Sequence, residues 1–408
     1  GDVVSFRIGR SQTYMITNPG DIKKVLVKDD HKFVKPEFQD YALSELLGNG
    51  LVLSEDEFWR SQRRLMQPAF SMEKIAEYSD TMADYTERMA AGWDPGEIRD
   101  VHSEMARLTV RIIVRSMFGT ELGDERTEKV QEALEPIGQR FEPDIRRFLL
   151  PDWVRTQEDV NYDRCVSTLD RILDEIVDAR RESKEERTDL LSMLLKAQSE
   201  GRLNSRQVRD ELMTILLAGH DTTALALTYT WYLLSQHPGI EERLLDELSG
   251  VLDGETPTFK DLHELEYTER VLKEAMRLYP PVYAMFREAR FGIKLGGYRI
   301  ERGSVIMLPQ WVVHRDSRYY ENPESFDPDR WAPERENERP RYSYFPFGAG
   351  PRHCIGKQFA MVEAKIILAT IAQKYRLELV SDGPLDLRGS ITMHPRNPVN
   401  MKVRDRRE

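Results

Sequence analysis

Phe347-Gly-Ala-Gly-Pro-Arg-His-Cys354-Ile-Gly356 is the stretch around which the rest of the chain is organised. Its glycines let the backbone turn sharply and pass close to another body, and Arg352 supplies a fixed positive charge near the cysteine. A nearby cation, backbone N–H groups and the start of a following helix all favour an anionic sulfur. The pattern predicts that Cys354 presents a thiolate to a metal. The plain alternative is that a lone cysteine is a small buried hydrophobic residue.

Length and composition indicate a large protein with a substantial core. The chain has 408 residues, 40% of them hydrophobic, and its 59 basic and 70 acidic residues give a net charge of −11. This charge disfavours nucleic acid and anionic membranes as partners. The two cysteines exclude a disulfide framework and fit a reducing compartment, with Cys165 expected to be a core thiol.

No run of about 18 apolar residues is present, so no membrane-spanning helix is predicted. We therefore expect a soluble, cytoplasmic protein. The chain begins at Gly1 in a strand-like pattern and without an initiator methionine. Residues are expected to be missing ahead of it, and an anchor there would lie outside the sequence.

Hydrophobic periodicity predicts a mainly α-helical protein with a minor β portion. A hairpin is predicted near residues 4–17, an irregular apolar stretch at 36–53, a small sheet after Pro280 and a short β section after a last helix that ends near Tyr375. Helices are predicted at about 56–67, 71–91, 98–118, 125–141, 160–183, 187–199, 205–236, 239–252 and 268–278. No linker separates domains, so residues 1–408 are expected to form one domain.

The long predicted helix 205–236 carries two small residues, Ala218 and Gly219, directly before His220, Asp221 and Thr222. A mid-helix glycine costs about 1 kcal/mol relative to alanine, so such a pair needs a reason. Either the helix packs closely against another helix, or the small residues let a flat ligand approach and give the hydroxyl room to break the helical hydrogen-bond ladder. The residues alone leave both interpretations open.

The cysteine stretch, with Phe347, Gly350, Arg352, Cys354 and Gly356 at fixed spacing, resembles the haem-binding loop of the cytochrome P450 family. The 218–223 segment resembles the oxygen-binding helix motif of the same family. The resemblance covers essentially the whole chain. It implies haem b (iron protoporphyrin IX) held between a long distal helix and a proximal cysteine-loop helix, with Cys354 as the axial iron ligand.

The same resemblance implies roles for the acid and the alcohol of the long helix. Thr222 would hold a water or the oxygen substrate, and Asp221 would relay protons from bulk solvent, because the activation of O2 needs two protons.

Neither His220 nor His353 has metal-ligand spacing to a second histidine, so a zinc site is not expected.

Glu274-Ala-Met-Arg277 places a carboxylate and a guanidinium one helical turn apart, which by itself is an ordinary surface pair. The resemblance implies a buried Glu274–Arg277–Arg330 network that braces the cysteine loop and is structural, not catalytic.

Other segments match family contacts with the cofactor and the substrate. Haem propionates need cationic or N–H partners, and the implied cofactor-binding residues are Trp59, Arg63, Ala218, Arg287, Pro346, Phe347, Arg352, Cys354 and Gly356. The implied substrate-pocket residues are Val52, Ile215, Gly219, Val282, Tyr283, Met285 and Thr392. Because most of this second set is apolar, a hydrophobic substrate is expected, with Tyr283 and Thr392 able to orient a polar group.

The implied activity is that of a monooxygenase that inserts one oxygen atom from O2 into a hydrophobic small molecule. Electrons would come from NAD(P)H through a ferredoxin- or flavodoxin-type donor or a separate reductase, docked near Arg352 and Lys357, and the protein is expected to be a monomer. Two alternatives stay open at this point: a peroxide-driven haem-thiolate hydroxylase or isomerase, and a non-catalytic haem sensor or binding protein.

Overall fold

A computed structural model describes residues 1–8, 11–141, 156–183, 185–381 and 383–406, without the side chains of 40–42 and 139. Most of the described chain is helical, as the periodicity predicts. The helices are α1 (Pro19–Lys23), α2 (Glu37–Leu47), α3 (Asp56–Met66), α4 (Met72–Ala91), α5 (Val101–Phe118), α6 (Asp124–Arg140), α7 (Gln157–Glu182), α8 (Leu190–Ser199), α9 (Ser205–Gln236), α10 (Pro238–Leu252), α11 (Glu266–Leu278), α12 (Gln310–Val313), α13 (Pro333–Glu336) and α14 (Lys357–Lys374).

The strands form small sheets at the edges of the helical body. They are β1 (Val3–Ile8), β2 (Ser11–Ile16), β3 (Phe33–Val34), β4 (Ile98–Asp100), β5 (Met285–Ala289), β6 (Ile293–Leu295), β7 (Tyr298–Ile300), β8 (Val305–Leu308), β9 (Tyr375–Leu379), β10 (Leu387–Gly389), β11 (Met393–Pro395) and β12 (Asn400–Asp405). The largest sheet has the order β1-β2-β8-β5-β3, in which only β2 and β8 run parallel, and the predicted hairpin is β1–β2. The other sheets are β4-β12-β9, β6-β7 and β10-β11.

Two sequence predictions are wrong in detail. Residues 36–53 are not irregular throughout, because 37–47 form α2. Leu43, Leu46 and Leu47 fall on one helical face and are buried in the core, so the apolar content of this stretch reflects core packing. Residues 98–100 are strand β4, not helix, because the Asp100 side chain accepts from the N–H of His102 and begins α5 there. A residue that caps a helix in this way keeps a non-helical backbone.

Helix α9 lies at the centre of the main hydrophobic core. It begins with a capping box between Asn204 and Gln207, and it ends where Pro238 opens the next helix. Its side chains from Tyr229 to Leu234 are buried. Helix α5 packs along it, and the hydroxyl of Thr109 on α5 donates to the carbonyl of His220 on α9 at 2.9 Å. The middle of α9 is thereby fixed inside the protein.

A second, smaller core lies under the five-stranded sheet. Ile16, Phe33, Ile306 and Phe345 are among its buried members. Phe345 stands just before the cysteine stretch, so this core holds the entrance of that loop against the sheet. The loop then runs into α14, which packs against α4 and α9.

Candidate active site

The cysteine stretch is a tight loop closed by its own backbone. The N–H of Cys354 donates to the carbonyl of Phe347 at 2.9 Å, and the N–H of His353 donates to that of Gly350 at 3.2 Å. Gly350 has φ +71°, and a Cβ at this position would overlap the carbonyl oxygen of Leu26. Glycine is therefore required here both by the left-handed backbone and by the close approach.

The Cys354 side chain is accessible although protein surrounds it closely enough for burial to raise the pKa of its thiol. The thiol therefore faces a space inside the protein, not bulk solvent. The backbone N–H of Gly356 and the charges of Arg63 and Lys357 act in the opposite direction without overcoming burial. A thiol in this setting ionises when a metal cation binds, because coordination stabilises the thiolate.

Three arginines from separate segments lie close enough to influence one another around this loop. Arg63 on α3 donates to the carbonyl of His353 at 2.8 Å, and the guanidinium of Arg352 lies 4.3 Å from the ring centroid of Trp59. Arg352 also donates to the carbonyl of Ser54 at 2.9 Å and pairs with the carboxylate of Glu55.

Burial lowers the pKa of each of the three guanidiniums, and the charge of Arg352 lowers that of Arg63 and Arg287 further. For Arg287, on β5, the pKa falls to about 10. Clustered, poorly solvated cations are unfavourable unless an anion joins them. The haem implied by the sequence brings a thiolate-binding iron and two carboxylates, so the residues present fit this cofactor.

The two small residues of α9 serve different purposes. A Cβ on Gly219 would lie 2.7 Å from Cδ1 of Ile113 on α5, so this glycine permits close packing of two helices. Ala218 is exposed although it belongs to a largely buried helix, so this position stays open to a ligand. Close packing is therefore the reason for Gly219, and the approach of a flat ligand at Ala218 stays a prediction.

Thr222 is half-buried one turn beyond Ala218, and its hydroxyl donates to the Ala218 carbonyl at 2.8 Å. The hydroxyl does not break the helix, since α9 is continuous from Ser205 to Gln236. A back-bonded threonine still has lone pairs that can accept a hydrogen bond from a ligand or water.

Asp221 joins a polar cluster of four side chains, called here the Asp221 cluster: His102 on α5, Asp221 on α9, and Thr392 and His394 at β11. Oδ2 of Asp221 accepts from the hydroxyl of Thr392 at 2.6 Å and lies 3.3 Å from Nε2 of His394. Burial raises the pKa of Asp221, but His394, His220 and Thr392 together outweigh this and hold it below its usual range.

The sequence analysis missed His102 and His394. Within the part of the chain that the structure describes, His102, Asp221 and His394 form the one group whose potential metal-ligand atoms lie within 4.8 Å of one another. No spacing pattern could reveal them, because they lie on separate elements far apart in the chain. Burial lowers the pKa of His220 to about 4, and its side chain is not part of this group.

Glu274, Arg277 and Arg330 are in direct contact, as the resemblance implied. Arg277 donates to both carboxylate oxygens of Glu274 at 2.8 Å, and Arg330 donates from Nε at 3.2 Å. The indole of Trp331 and the N–H of Asp327 complete the set, each at 3.0 Å. The side chains of Glu274 and Arg277 are 0% exposed, so the ion pair is fully removed from water.

The implied substrate residues are placed differently from one another. Val52 is 37% exposed, whereas Ile215 is 5% exposed and belongs to the main core. Val282 and Met285 are half-buried, and the Met285 side chain lies beside Gly348 of the cysteine loop. Contacts of these residues with a substrate stay a prediction.

The two polar members of this set already have protein partners. The hydroxyl of Tyr283 donates to the carbonyl of Ser390 at 2.9 Å, and Thr392 is buried and donates to Asp221. Both residues therefore anchor the β10–β11 segment, an interaction that the sequence did not predict.

Pro346 and Phe347 are half-buried at the entrance of the loop, and Gly356 precedes the first residue of α14.

Among the described residues, the helices include none with the length and apolar character needed to cross a membrane. Cys165 lies on α7, half-buried against the main core.

Comparisons with known proteins agree with this geometry. The model of the family "Cytochrome P450" matches residues 1–402. "Cyclooctatin synthase" of Streptomyces melanosporofaciens is 36% identical over 92% of this chain and 83% of its own length. "Pentalenene oxygenase" of Streptomyces avermitilis is 34% identical over 97% of this chain and 89% of its own. The crystal structure of the cytochrome P450DA heme domain superposes with a TM-score of 0.89 at 28% identity, covering 99% of this chain and 90% of that one.

The family match spans nearly all of the chain, and two relatives above 30% identity are covered over most of their length. The fold is the one that the sequence implied. The chain belongs to the cytochrome P450 family and is a haem-thiolate monooxygenase.

Proposed function

We propose that this protein inserts one oxygen atom from O2 into a cyclic terpene hydrocarbon or a cyclic terpene alcohol. The observation that carries the chemistry is the internal Cys354 thiol beside the half-buried cation of Arg63, with the buried cation of Arg287 close to Arg352 of the same loop. The substrate class is supported by the relatives, one named for pentalenene and another, 36% identical, named "Cyclooctat-9-en-7-ol 5-monooxygenase". The apolar side chains of Val52 and Val282, exposed and half-buried, suit such a molecule.

The protein's own residues have separate tasks in this proposal. Cys354 binds the iron, and Arg63, Arg287 and Arg352 bind the haem carboxylates. The haem, when bound, supplies the electron transfer and the oxygen cleavage. Thr222 positions the oxygen substrate or a water beside the open Ala218 position, and Asp221 supplies protons from the other side of α9. The overall balance is substrate C–H plus O2, two electrons and two protons, giving an alcohol and water.

Electrons come from NAD(P)H through a separate ferredoxin- or flavodoxin-type donor or a reductase. We place its docking site around Lys357 and Arg64, which are exposed at the two sides of the cysteine loop. Arg352 is a weaker candidate because Glu55 already pairs with it. An acidic donor is expected to bind this basic face, with reduction that slows as salt concentration rises.

The experiment begins with the reduced, CO-bound spectrum of the purified protein, which should be of the thiolate type and should disappear in Cys354→Ala. Cyclic terpenes, linear fatty acids and polar aromatics are then compared by haem spectral shift and by product formation with a ferredoxin system. Turnover of a terpene with NAD(P)H and O2 supports the proposal. If only the fatty acids or the polar aromatics are oxidised, the proposed substrate class is refuted. If turnover needs added peroxide, the proposed electron route is refuted.

The proposal that residues 1–408 act as one domain and as a monomer is tested by sedimentation of the haem-loaded protein. Sedimentation should give a monomeric mass, and thermal unfolding of the same sample should show a single cooperative transition.

A further inference from the structure

The Asp221 cluster links the acid of α9 to a histidine on the C-terminal β segment. Thr392 Oγ1 lies 2.6 Å from Oδ2 of Asp221 and 2.8 Å from Nε2 of His394. The side chains of Asp221 and His394 are 20% and 16% exposed, so neither is completely enclosed by neighbouring protein atoms. Asp221 directly precedes Thr222 on α9.

The cluster is held in place by contacts that do not involve its own polar atoms. The phenol of Tyr229 on α9 donates to the carbonyl of Met393 on β11, and the N–H of Met393 donates to the carbonyl of Pro281 at 2.8 Å. The residue between Thr392 and His394 is thus fixed from two sides. These contacts place the Thr392 and His394 side chains next to Asp221.

Hydrogen-bond chemistry assigns a direction to the chain of contacts. Asp221 is ionised, since its pKa lies below the usual range, and a carboxylate only accepts. Thr392 has one hydroxyl proton, which must therefore point to Asp221. The lone pairs of Thr392 are then left to accept from His394, which requires a proton on Nε2 of that ring. The tautomer is inferred from these partners.

The charged and titratable groups around the cluster are compatible with hydrogen bonds that run from His394 through Thr392 to Asp221. His102 lies edge-on to His394 with ring centroids 5.6 Å apart, and burial lowers the pKa of His102, so it stays neutral. His220 on α9, Asp100 before α5 and Arg388 on β10 also act on the cluster. Tyr229 faces Asp221 as well, with a pKa raised by burial. Among these groups, Asp221 is the carboxylate in contact with His394, at 3.3 Å from its Nε2.

We propose that His394 and Thr392 form the proton-relay pair that reloads Asp221 during oxygen activation. His394 takes a proton from water on Nδ1 and releases the proton on Nε2 to Thr392 Oγ1. The original hydroxyl proton of Thr392 passes to Oδ2 of Asp221, which becomes a neutral acid. Asp221 then gives that proton toward the oxygen site and is again a carboxylate. Each passage moves one proton and no electron, and two passages serve one O2.

This inference rests on the proposed function, because it assumes that Asp221 supplies protons to the oxygen site. Histidine suits the outer position because its ring can accept a proton on one nitrogen while it donates from the other. His394 and Thr392 are relay residues in this proposal, because the proton that they carry reaches the oxygen site through Asp221.

The first test uses a matched pair of variants in the haem-loaded protein. Thr392→Val removes the hydroxyl with little change of shape, and Thr392→Ser retains it. Thr392→Val is expected to slow product formation at least tenfold and to keep the haem content and the CO-bound spectrum of wild type. Thr392→Ser should recover at least half of the rate. Equal rates in Thr392→Val and wild type would overturn the relay.

The second test does not depend on turnover. Nitrogen-15 histidine spectra of the reduced, CO-bound protein report the tautomer of each ring, and His394→Gln identifies the resonance of His394. A proton on Nε2 that is lost or exchanges faster in Thr392→Val supports the relay. A ring protonated only on Nδ1 in the wild-type protein would overturn it.

The two tests also separate this inference from the proposed function. If wild type oxidises no terpene, the function fails while the tautomer still decides the relay geometry. If wild type turns over and His394→Gln keeps the full rate, an unchanged pH–rate profile and an unchanged solvent deuterium isotope effect, the relay alone is wrong.

Discussion

Arg277 donates from Nη1 to the backbone carbonyl of His314 at 2.9 Å, and this contact joins the buried ion pair to the cysteine loop. The ring of His314 accepts the N–H of Phe345 through Nε2 at 3.0 Å, and the carbonyl of Phe345 accepts the N–H of Gly348 at 2.9 Å. Burial lowers the pKa of His314 to about 3, so the ring stays neutral and keeps an acceptor nitrogen. The network thus positions the entrance of the loop that carries Cys354.

Replacement of Glu274 by glutamine leaves two buried guanidiniums without their anion. We expect Glu274→Gln to lower the free energy of unfolding by roughly 3–5 kcal/mol, the usual result of removing one partner of a buried pair. Denaturant titration and the thiolate-type spectrum measure this. Asp329→Asn is the control, because its pair with Arg243 is about half exposed and is worth at most about 1 kcal/mol. Equal stability of both variants would contradict the bracing role.

Gly350 and Gly303 form a matched pair, since both have positive φ but only Gly350 has backbone in the way of a Cβ. Gly303→Ala should cost only the left-handed backbone, roughly 1–2 kcal/mol. Gly350→Ala should cost more and should displace the loop from Leu26, with reduced haem content. The measurement is the melting temperature with the haem-to-protein ratio. A Gly350→Ala protein with full haem would show that the loop tolerates the shift.

Arg287 is buried on β5, where its charge is poorly compensated by the Phe286 carbonyl at 2.8 Å. If it binds a haem carboxylate, Arg287→Met should speed haem transfer to an acceptor protein about tenfold, because a charged hydrogen bond is worth about 1.5–3 kcal/mol. Arg299→Met serves as the control, since its pair with Glu301 is largely exposed. Identical transfer rates in the two variants would exclude Arg287 as a haem contact.

Thr222 and Thr230 both donate to the carbonyl four residues earlier on α9. Thr222→Ala is expected to retain haem but to divert most of the electrons from NAD(P)H to hydrogen peroxide, since proton supply beside the oxygen substrate is lost. Thr230→Ala removes the same kind of hydrogen bond away from the site and should keep normal coupling. The ratio of peroxide to product measures the effect. Normal coupling in Thr222→Ala would remove the role given to this residue.

Glu211 on α9 accepts the N–H of Leu51 at 2.9 Å, and burial raises its pKa from 4.5 to about 7. Between these pH values the unfolded carboxyl loses its proton while the folded one keeps it. The contribution of Glu211 to the free energy of unfolding is therefore complete below pH 4.5. It falls by roughly 3 kcal/mol as the pH rises to 7.

Glu211→Gln should remove this part of the pH dependence, whereas Glu301→Gln on the surface should follow wild type. Denaturant unfolding at pH 5 and pH 7.5 gives the comparison. If the difference in unfolding free energy between wild type and Glu211→Gln is the same at pH 5 and pH 7.5, the raised pKa is contradicted.

Local patterns were sufficient wherever neighbours in sequence are also neighbours in space. The helix bounds near Asp56–Met66 and Ser205–Gln236, and the Glu274–Arg277 pair, follow from periodicity and from one-turn spacing. Helix α2 was not predicted because its apolar residues were interpreted as an irregular loop. In the folded protein, Leu43, Leu46 and Leu47 lie on one face of this helix and are buried in the main core. Periodicity is a weak signal in such short segments.

A cysteine loop, an acid–alcohol segment and a mainly helical fold could be predicted together, because each is encoded in residues that follow one another. The packing of Gly219 against Ile113, and the grouping of His102, Thr392 and His394 around Asp221, could be seen only once the chain was folded. The physical reason is that hydrogen bonds and packing act over a few ångströms of space. The fold, not the spacing along the chain, brings α5, α9 and β11 within that distance.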